Sequence, residues 1–550
     1  MALCGEGGVD YRGGQGTVEV SDPVPDRDLL LAVEASGYRA EAGASGGTAA
    51  STTAGRSQSQ RAKIPSGAGP TSRAETSGSR ADREGEEAAF DLLVIGTGGA
   101  GVAAAIQAAE LGARVGIAES GVLGGTCVNV GCIPSKNLIE AAAHYHAARR
   151  GFPGIGRCEP VLDWREVIAW KDTLVRELRE SKYADVLRSY AGITLLEGPA
   201  RLLGGRRVRV GEVERQAGKI VLATGTSPAS PPIEGLDRVA ALNSTTAMEL
   251  DELPRSLIVL GGSAVGLELA QIFARFGTKV TVLELLPRIL ASEDETVSEA
   301  LRDHLEQEGL EIHTGVTAFR VERDGREVVI HVRQGSLSGE FRAERLLVAT
   351  GRRANTDDLG LEVAGVDLTA KGFIEVDATL RTTNPDVYAA GDVTGGPGFV
   401  YVAAAGGRLA AENALTGGAR ELDLSAVPSV TFTSPQAASV GLTEAKARAA
   451  GYHVEVSVLE LEHVPRALVS RDVRGLVKIV AEAGSGRVLG VHAVGPHAGE
   501  LLGEATLAVR LGLTLGDLTS TLHPYLTWVE GLKLAAQSFA VDVSRLSCCA

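Results

Sequence analysis

From Phe90 onward the chain alternates two hydrophobic patterns. Phe90–Ile95 is a continuous apolar run of strand length, and Ala100–Leu111 is built of small apolar residues at helical spacing. Arg114–Glu119 reads as a second strand ending in an acid. A similar unit returns at Ser256–Gly277, with Lys279–Glu284 as its second strand. Strand, glycine turn, helix and strand, twice over, predict two Rossmann-like nucleotide-binding domains. Residues 366–425 return to strand and loop, and 426–550 mix strands with long helices, as an α+β interface domain would. Upstream, 43–89 hold Gly, Ala, Ser, Thr and Arg with almost no large apolar groups. Such a stretch buries too little surface to offset its ordering entropy and is read as a disordered linker. Residues 1–42 read as a strand, a loop, an amphipathic helix and a closing strand, too little for a stable domain.

Composition narrows the function class. The chain has 550 residues, 44% hydrophobic and 22% charged, ordinary values for a globular protein of several domains. A net charge of −15, with no run of Lys or Arg, argues against a nucleic-acid partner. No segment reaches the roughly 18 apolar residues of a membrane helix, so no membrane partner is expected. The amino terminus MALCGEGGVD has neither the basic nor the apolar region of a secretory signal. Six cysteines in so long a chain are not a disulfide scaffold, and a reducing cytoplasm is the expected compartment.

Three motifs carry chemistry. Gly96-Thr97-Gly98-Gly99-Ala100-Gly101 is a full GxGxxG between strand and helix. Its first glycine makes the turn, Gly98 admits a pyrophosphate, and Gly101 lets the helix pack on the strand. Glu119, at the end of the next strand, is placed to accept from a ribose hydroxyl. The second copy, Gly261-Gly262-Ser263-Ala264-Val265-Gly266, has Ser263 at the middle position and Glu284 beyond its strand. An acid there suits the free 2′-hydroxyl of NAD, Arg288 nearby is a candidate phosphate partner, and a solvated strand-end charge is the plainer reading of Glu284. The third motif is Gly124-Gly125-Thr126-Cys127-Val128-Asn129-Val130-Gly131-Cys132-Ile133-Pro134-Ser135-Lys136. Two cysteines at this spacing can be bridged if a helix begins between them, and Cys127 at a helix start would have a lowered thiol pKa. Zinc is the competing ligand, but the matching second knuckle is absent from the chain.

This string resembles the active-site signature of the pyridine nucleotide–disulfide oxidoreductases. Val221-Leu222-Ala223-Thr224-Gly225 and Leu347-Val348-Ala349-Thr350-Gly351 resemble the two strand-to-loop crossings of that family, and Val387–Asp392 its second flavin motif. The resemblance covers 90–550. It implies an FAD-binding domain at 90–240 and 366–425, an NAD(P)-binding domain at 241–365 and a dimerisation domain at 426–550. It also implies FAD with NADPH or NADH as cofactors, and a homodimer. By the same resemblance Cys127 and Cys132 form a redox-active pair, with Cys132 nearer the flavin and Glu268 pairing with Lys136 beside it. Gly121, Thr126, Ala200 and Val400 join Gly96, Gly98, Gly101, Glu119, Lys136, Thr224, Gly225 and Asp392 as flavin contacts. Gly261, Gly266, Glu284 and Gly351 are the nicotinamide-coenzyme contacts.

The carboxyl-terminal region points to the substrate. Disulfide-reducing members use a His-Pro histidine oriented by a glutamate about five residues on. Here His523-Pro524 is present, but Trp528 holds the glutamate position and Glu530 is two residues off. His523 then reads as a packed or hydrogen-bonded residue. PYLTWVEGLKLAAQSF, VPRALVSRDVRGLVKIV and the closing DVSRLSCCA resemble the branch of the family that reduces Hg(II). Adjacent Cα atoms lie about 3.8 Å apart, short of the roughly 4.4–6.8 Å a relaxed disulfide spans, so Cys548 and Cys549 favour the dithiol and suit a soft metal. The resemblance implies Hg(II), arriving as a thiol complex, as substrate. The tail pair would act at the partner's site, Cys127 and Cys132 would ligate the metal, and Tyr183 and Tyr525 would stand beside it. Residues 1–42 resemble the latter half of a ferredoxin-like heavy-metal-associated domain lacking its CxxC loop, leaving Cys4 alone; they are expected to be unfolded. A dihydrolipoamide-type disulfide reductase and a catalytically idle, thiol-rich metal-sequestering protein are the alternatives.

Overall fold

A computed structural model describes residues 90–542, together with three short strands nearer the amino terminus. The chain divides into two compact units, Met1–Arg83 and Glu84–Ala550. In the first, Val9–Arg12, Gln15–Val18 and Ser51–Thr53 pair antiparallel. Ser51–Thr53 lies within the stretch read as linker; the amphipathic helix expected before residue 42 lies outside the described residues, as do Cys548 and Cys549.

The second unit holds three sheets that place the site. In the first, Ile193–Glu197, Val115–Glu119, Phe90–Ile95, Val213–Leu222 and Val387–Ala389 run parallel, with Ala200–Gly204 and Arg207–Val210 continuing from Val213–Leu222 as an antiparallel meander. Its central strand is apolar on both faces because helices cover one and the meander with residues 354–374 covers the other. Leu92, Leu93 and Val94 are 0% exposed, and each such side chain stabilises the fold by about 1.5–3 kcal/mol. Gly99–Glu110 packs on this sheet and against the helix Val400–Thr416, where Ala and Gly let the two backbones approach closely.

The second sheet is wholly parallel, in the order Glu311–His313, Lys279–Leu283, Ser256–Leu260, Arg345–Val348. Ala264–Arg275 crosses over it, burying Leu267, Leu269, Ile272 and Phe273. The third, five-stranded and antiparallel, spans Ser429–Glu482 and Val488–Gly495 and is backed by Ala498–Leu511. Strand ends at the turn of each parallel sheet point to one region, where a dinucleotide fold places its ligands. Among the described residues no helix is long and apolar enough to cross a membrane.

Candidate active site

The redox loop leaves the first strand–helix–strand unit and returns over its glycine turn. Two helices, Gly125–Val130 and Cys132–Arg150, meet at Gly131. A Cβ on Gly131 would stand 2.9 Å from the Thr126 carbonyl oxygen and 3.3 Å from the Cys127 Cα. Glycine is therefore what lets the two turns close until Cys127 and Cys132 share a hydrogen bond. Both cysteines are free thiols. The bond from Cys127 brings Cys132 down to about 7, against the opposing effect of burial and helped by the Lys136 charge. The same bond, followed by burial and the Cys132 charge, pushes Cys127 far up. The sequence pattern put the acidic thiol at Cys127, which does lie in the first turn of the helix Gly125–Val130; the hydrogen bond from Cys127, with the Lys136 charge one turn along, favours the thiolate at Cys132 instead.

Lys136 ties this helix to the rest of the molecule. Its Nζ lies 2.7 Å from Glu268 Oε2, on the helix crossing the second sheet, and 4.6 Å from the centre of the Phe432 ring. Glu268 is 5% exposed, and its other oxygen accepts from the Phe432 backbone N–H at 2.8 Å. One buried carboxylate therefore joins residues from all three sheet systems beside the thiols. Phe432 carries no sequence signal for this role, since it acts through its main chain and ring face.

Tyr183 lies in a π-helical turn, Glu180–Ala184, that interrupts an otherwise α-helical stretch. Burial and then the charges of Cys127 and Cys132 raise its pKa, keeping the phenol protonated next to the sulfurs. Tyr525 is 49% exposed in the loop after His523, on the interface domain. His523 itself has a partner that the sequence did not reveal. Its Nε2 lies 2.8 Å from Glu504 Oε1 and its Nδ1 3.0 Å from the Thr521 carbonyl oxygen, with the side chain only 2% exposed. Glu504 is distant in sequence, on the helix Ala498–Leu511, so no local spacing signals the pair.

A groove of about 830 Å³ runs along the first glycine turn, lined by Gly96, Gly98, Glu119, Thr126, Ala200, Thr224 and Gly225 among others. A dinucleotide fits it on structural grounds. A Cβ on Gly98 would find only Gly125 Cα, at 3.8 Å, so the turn offers bare backbone to a pyrophosphate. Glu119 Oε1 accepts from the Gly121 N–H at 2.8 Å, and Oε2 from both the N–H and the hydroxyl of Thr97, which aims the carboxylate along the groove wall. Gly101 lies inside the helix, where a Cβ would overlap the Gly96 carbonyl at 1.8 Å. Val400 opens the Val400–Thr416 helix against Gly99. Asp392 Oδ2 accepts from Thr226 Oγ1 at 3.0 Å, which accepts in turn from Arg352 Nε at 2.7 Å. Arg352 is held by burial below the usual guanidinium range, a further cation at the groove that the motifs did not indicate.

In the second unit Gly261 and Gly266 make the same turn, Gly351 follows the fourth strand with φ 137°, and Glu284 stands just past its own strand. Among the described residues no cluster of three or more His, Cys, Asp or Glu is arranged to hold a metal ion.

Comparison with known proteins agrees with this layout. Residues 90–407 match the family described as pyridine nucleotide-disulphide oxidoreductase, and 427–536 match its dimerisation domain. The chain is 48% identical to a mercuric reductase of Streptomyces lividans over 84% of this chain and 98% of that protein. It is 45% identical to one from Bacillus cereus over 84% of this chain and 73% of that protein. One from Shigella flexneri is 46% identical over 86% of this chain and 84% of that protein. Among solved structures, the Cu(II) complex of the HOCl-induced flavoprotein disulfide reductase RclA from Escherichia coli superposes with a TM-score of 0.75 at 30% identity. It covers 83% of this chain and 100% of that one.

Proposed function

The chain belongs to the pyridine nucleotide-disulphide oxidoreductases, and we propose that within this family it reduces Hg(II) to Hg(0). The donor is NADH or NADPH, FAD is the relay, and the dimerisation domain supports a homodimer. The observation that carries the reading is the Cys127–Cys132 pair, two free thiols hydrogen-bonded to each other beside a dinucleotide groove. Hg(II) is a soft ion that prefers two sulfur ligands. Cys127, the exchanging thiol, and Cys132, the flavin-proximal one, each give up a proton as they bind, so that the metal is held by two sulfurs.

Other residues hold this geometry. Lys136, kept in place by Glu268, sets a positive charge beside the sulfurs. Tyr183 keeps its O–H available to donate toward the metal's ligands. Gly96, Gly98, Gly101, Glu119, Gly121, Thr126, Ala200, Thr224, Gly225, Asp392 and Val400 would hold FAD, which supplies two-electron transfer between nicotinamide and sulfur. The tail thiols Cys548 and Cys549 of one protomer take Hg(II) from small thiols and pass it by ligand exchange to the other protomer's pair, past Tyr525. Exchange between sulfurs never releases the free ion. The reaction is assigned to the cytoplasm, where reduced coenzymes of this class and small thiols are both at hand.

A second reading, disulfide reduction, draws on one observation, the His523–Glu504 pair. The test is coenzyme oxidation by the purified yellow protein. Stimulation by Hg(II) in excess thiol, and not by lipoamide or glutathione disulfide, is the expected result. The reverse pattern would hand the chain to the second reading.

A further inference from the structure

The second dinucleotide unit carries more than a generic coenzyme site. Glu284 is 7% exposed, and both of its carboxylate oxygens are held by the main chain. Oε2 accepts from the Gly262 N–H at 2.5 Å and Oε1 from the Leu286 N–H at 2.7 Å. Two N–H donors fix the direction of the carboxylate at the mouth of the glycine turn, where a coenzyme's adenosine ribose lies. An ionised acid there accepts from a free 2′-hydroxyl and repels a 2′-phosphate.

A 2′-phosphate would need a cation to offset that repulsion, and the candidates beside Glu284 are engaged elsewhere. Arg288 Nη2 donates to the carbonyls of Ala291 at 3.1 Å and Glu293 at 3.2 Å, and Nη1 faces Glu295 at 3.9 Å. The guanidinium is thus a brace for its own loop. His313, on the neighbouring strand, lies 2.8 Å from Glu311 and packs on the Phe341 ring. The two residues after Glu284 are exposed leucines, Leu285 at 62% and Leu286 at 48%. They offer an apolar shelf to a base and no charge to a phosphate.

We infer that the chain is built for NADH, with Glu284 as the specificity-determining residue and Arg288 withheld from the coenzyme. This rests on the family reading of the second unit and deepens it by choosing between its two nicotinamide donors. Like charges brought together at a desolvated contact cost several kcal/mol, so NAD should bind on the order of a hundredfold more tightly than NADP.

The experiment is calorimetric titration of the oxidised, FAD-loaded protein with NAD⁺ and with NADP⁺. Neither ligand reacts, and no mercury is present, so a failed mercury assay and a failed coenzyme preference remain separate results. Tighter NAD⁺ binding, with the ratio falling to within several-fold in Glu284→Gln, is expected. Equal or tighter NADP⁺ binding by the unaltered protein would overturn the inference without recourse to a variant. So would a ratio unchanged in Glu284→Gln. Arg288→Ala supplies the independent arm. A loss confined to NADP⁺ would show that Arg288 reads the phosphate and overturn the inference, whereas equal effects on both coenzymes agree with a loop brace.

Discussion

The two glycine turns of this chain are the same device put to different uses. At the outer glycines they are interchangeable. A Cβ on Gly96 would meet the Ala223 carbonyl oxygen at 2.4 Å, and one on Gly261 the Ala349 carbonyl oxygen at the same distance. Gly101 and Gly266 are excluded from any larger residue by the carbonyls of Gly96 and Gly261, at 1.8 and 2.0 Å. The middle position separates them. Gly98 faces Gly125, whose own Cβ would approach the Gly98 Cα to 2.5 Å, so the redox loop lies directly on the first turn. On the second turn it is Gly262 that is packed, by Ile289 and by the Leu290 N–H at 2.9 Å, while Ser263 stands exposed, capping the helix with extended backbone. The middle glycine of a dinucleotide turn is thus demanded here by what packs on it as well as by the ligand. That packing couples the thiols to the groove.

The comparison can be broken in order of expected effect. Cys127→Ser or Cys132→Ser should lower mercury-dependent turnover on the order of a thousandfold or more, measured as coenzyme oxidation. Gly125→Ala comes next. A side chain at φ 65° that also collides with Gly98 should leave the protein folded by circular dichroism but poor in bound flavin by absorbance. Glu268→Gln removes the Lys136 partner. Because Lys136 is a third exposed, solvent screening reduces the loss to about 1–2 kcal/mol, or roughly five- to thirtyfold in rate. The same change should shift a titration. The Glu268 charge raises Cys132, so its removal should move thiolate formation below the present midpoint of about 7. In the parent protein thiolate absorbance should grow as pH rises through about 7, move to higher pH in Cys132→Ser and persist in Cys127→Ser. Smallest of all, Ser263→Gly should change flavin content not at all and coenzyme affinity by less than about threefold.

Much of this was legible in the residues. Strand–turn–helix units at 90 and 256, the acids Glu119 and Glu284, and the Cys127–Cys132 string are local patterns whose spacing is their meaning. The contacts that finish the site are not local. Glu504 reaches His523 from another helix, Phe432 meets Glu268 through its main chain, and Arg352 reaches Asp392 through Thr226. Nothing in composition or period marks such pairs, because folding makes the neighbour. The choice between the two thiols has a different origin. Each lies in the first turn of a helix, Gly125–Val130 and Cys132–Arg150, and only the hydrogen bond between them and the Lys136 charge favour Cys132.

The central claim is that the Cys127–Cys132 pair holds Hg(II) while two electrons from NADH reduce it, and counting the product tests it most directly. Protein supplied with NADH, excess thiol and Hg(II) should release Hg(0) vapour in amounts equal to the NADH oxidised, with none from Cys132→Ser. NADH oxidation without mercury vapour, or vapour undiminished in Cys132→Ser, would contradict it.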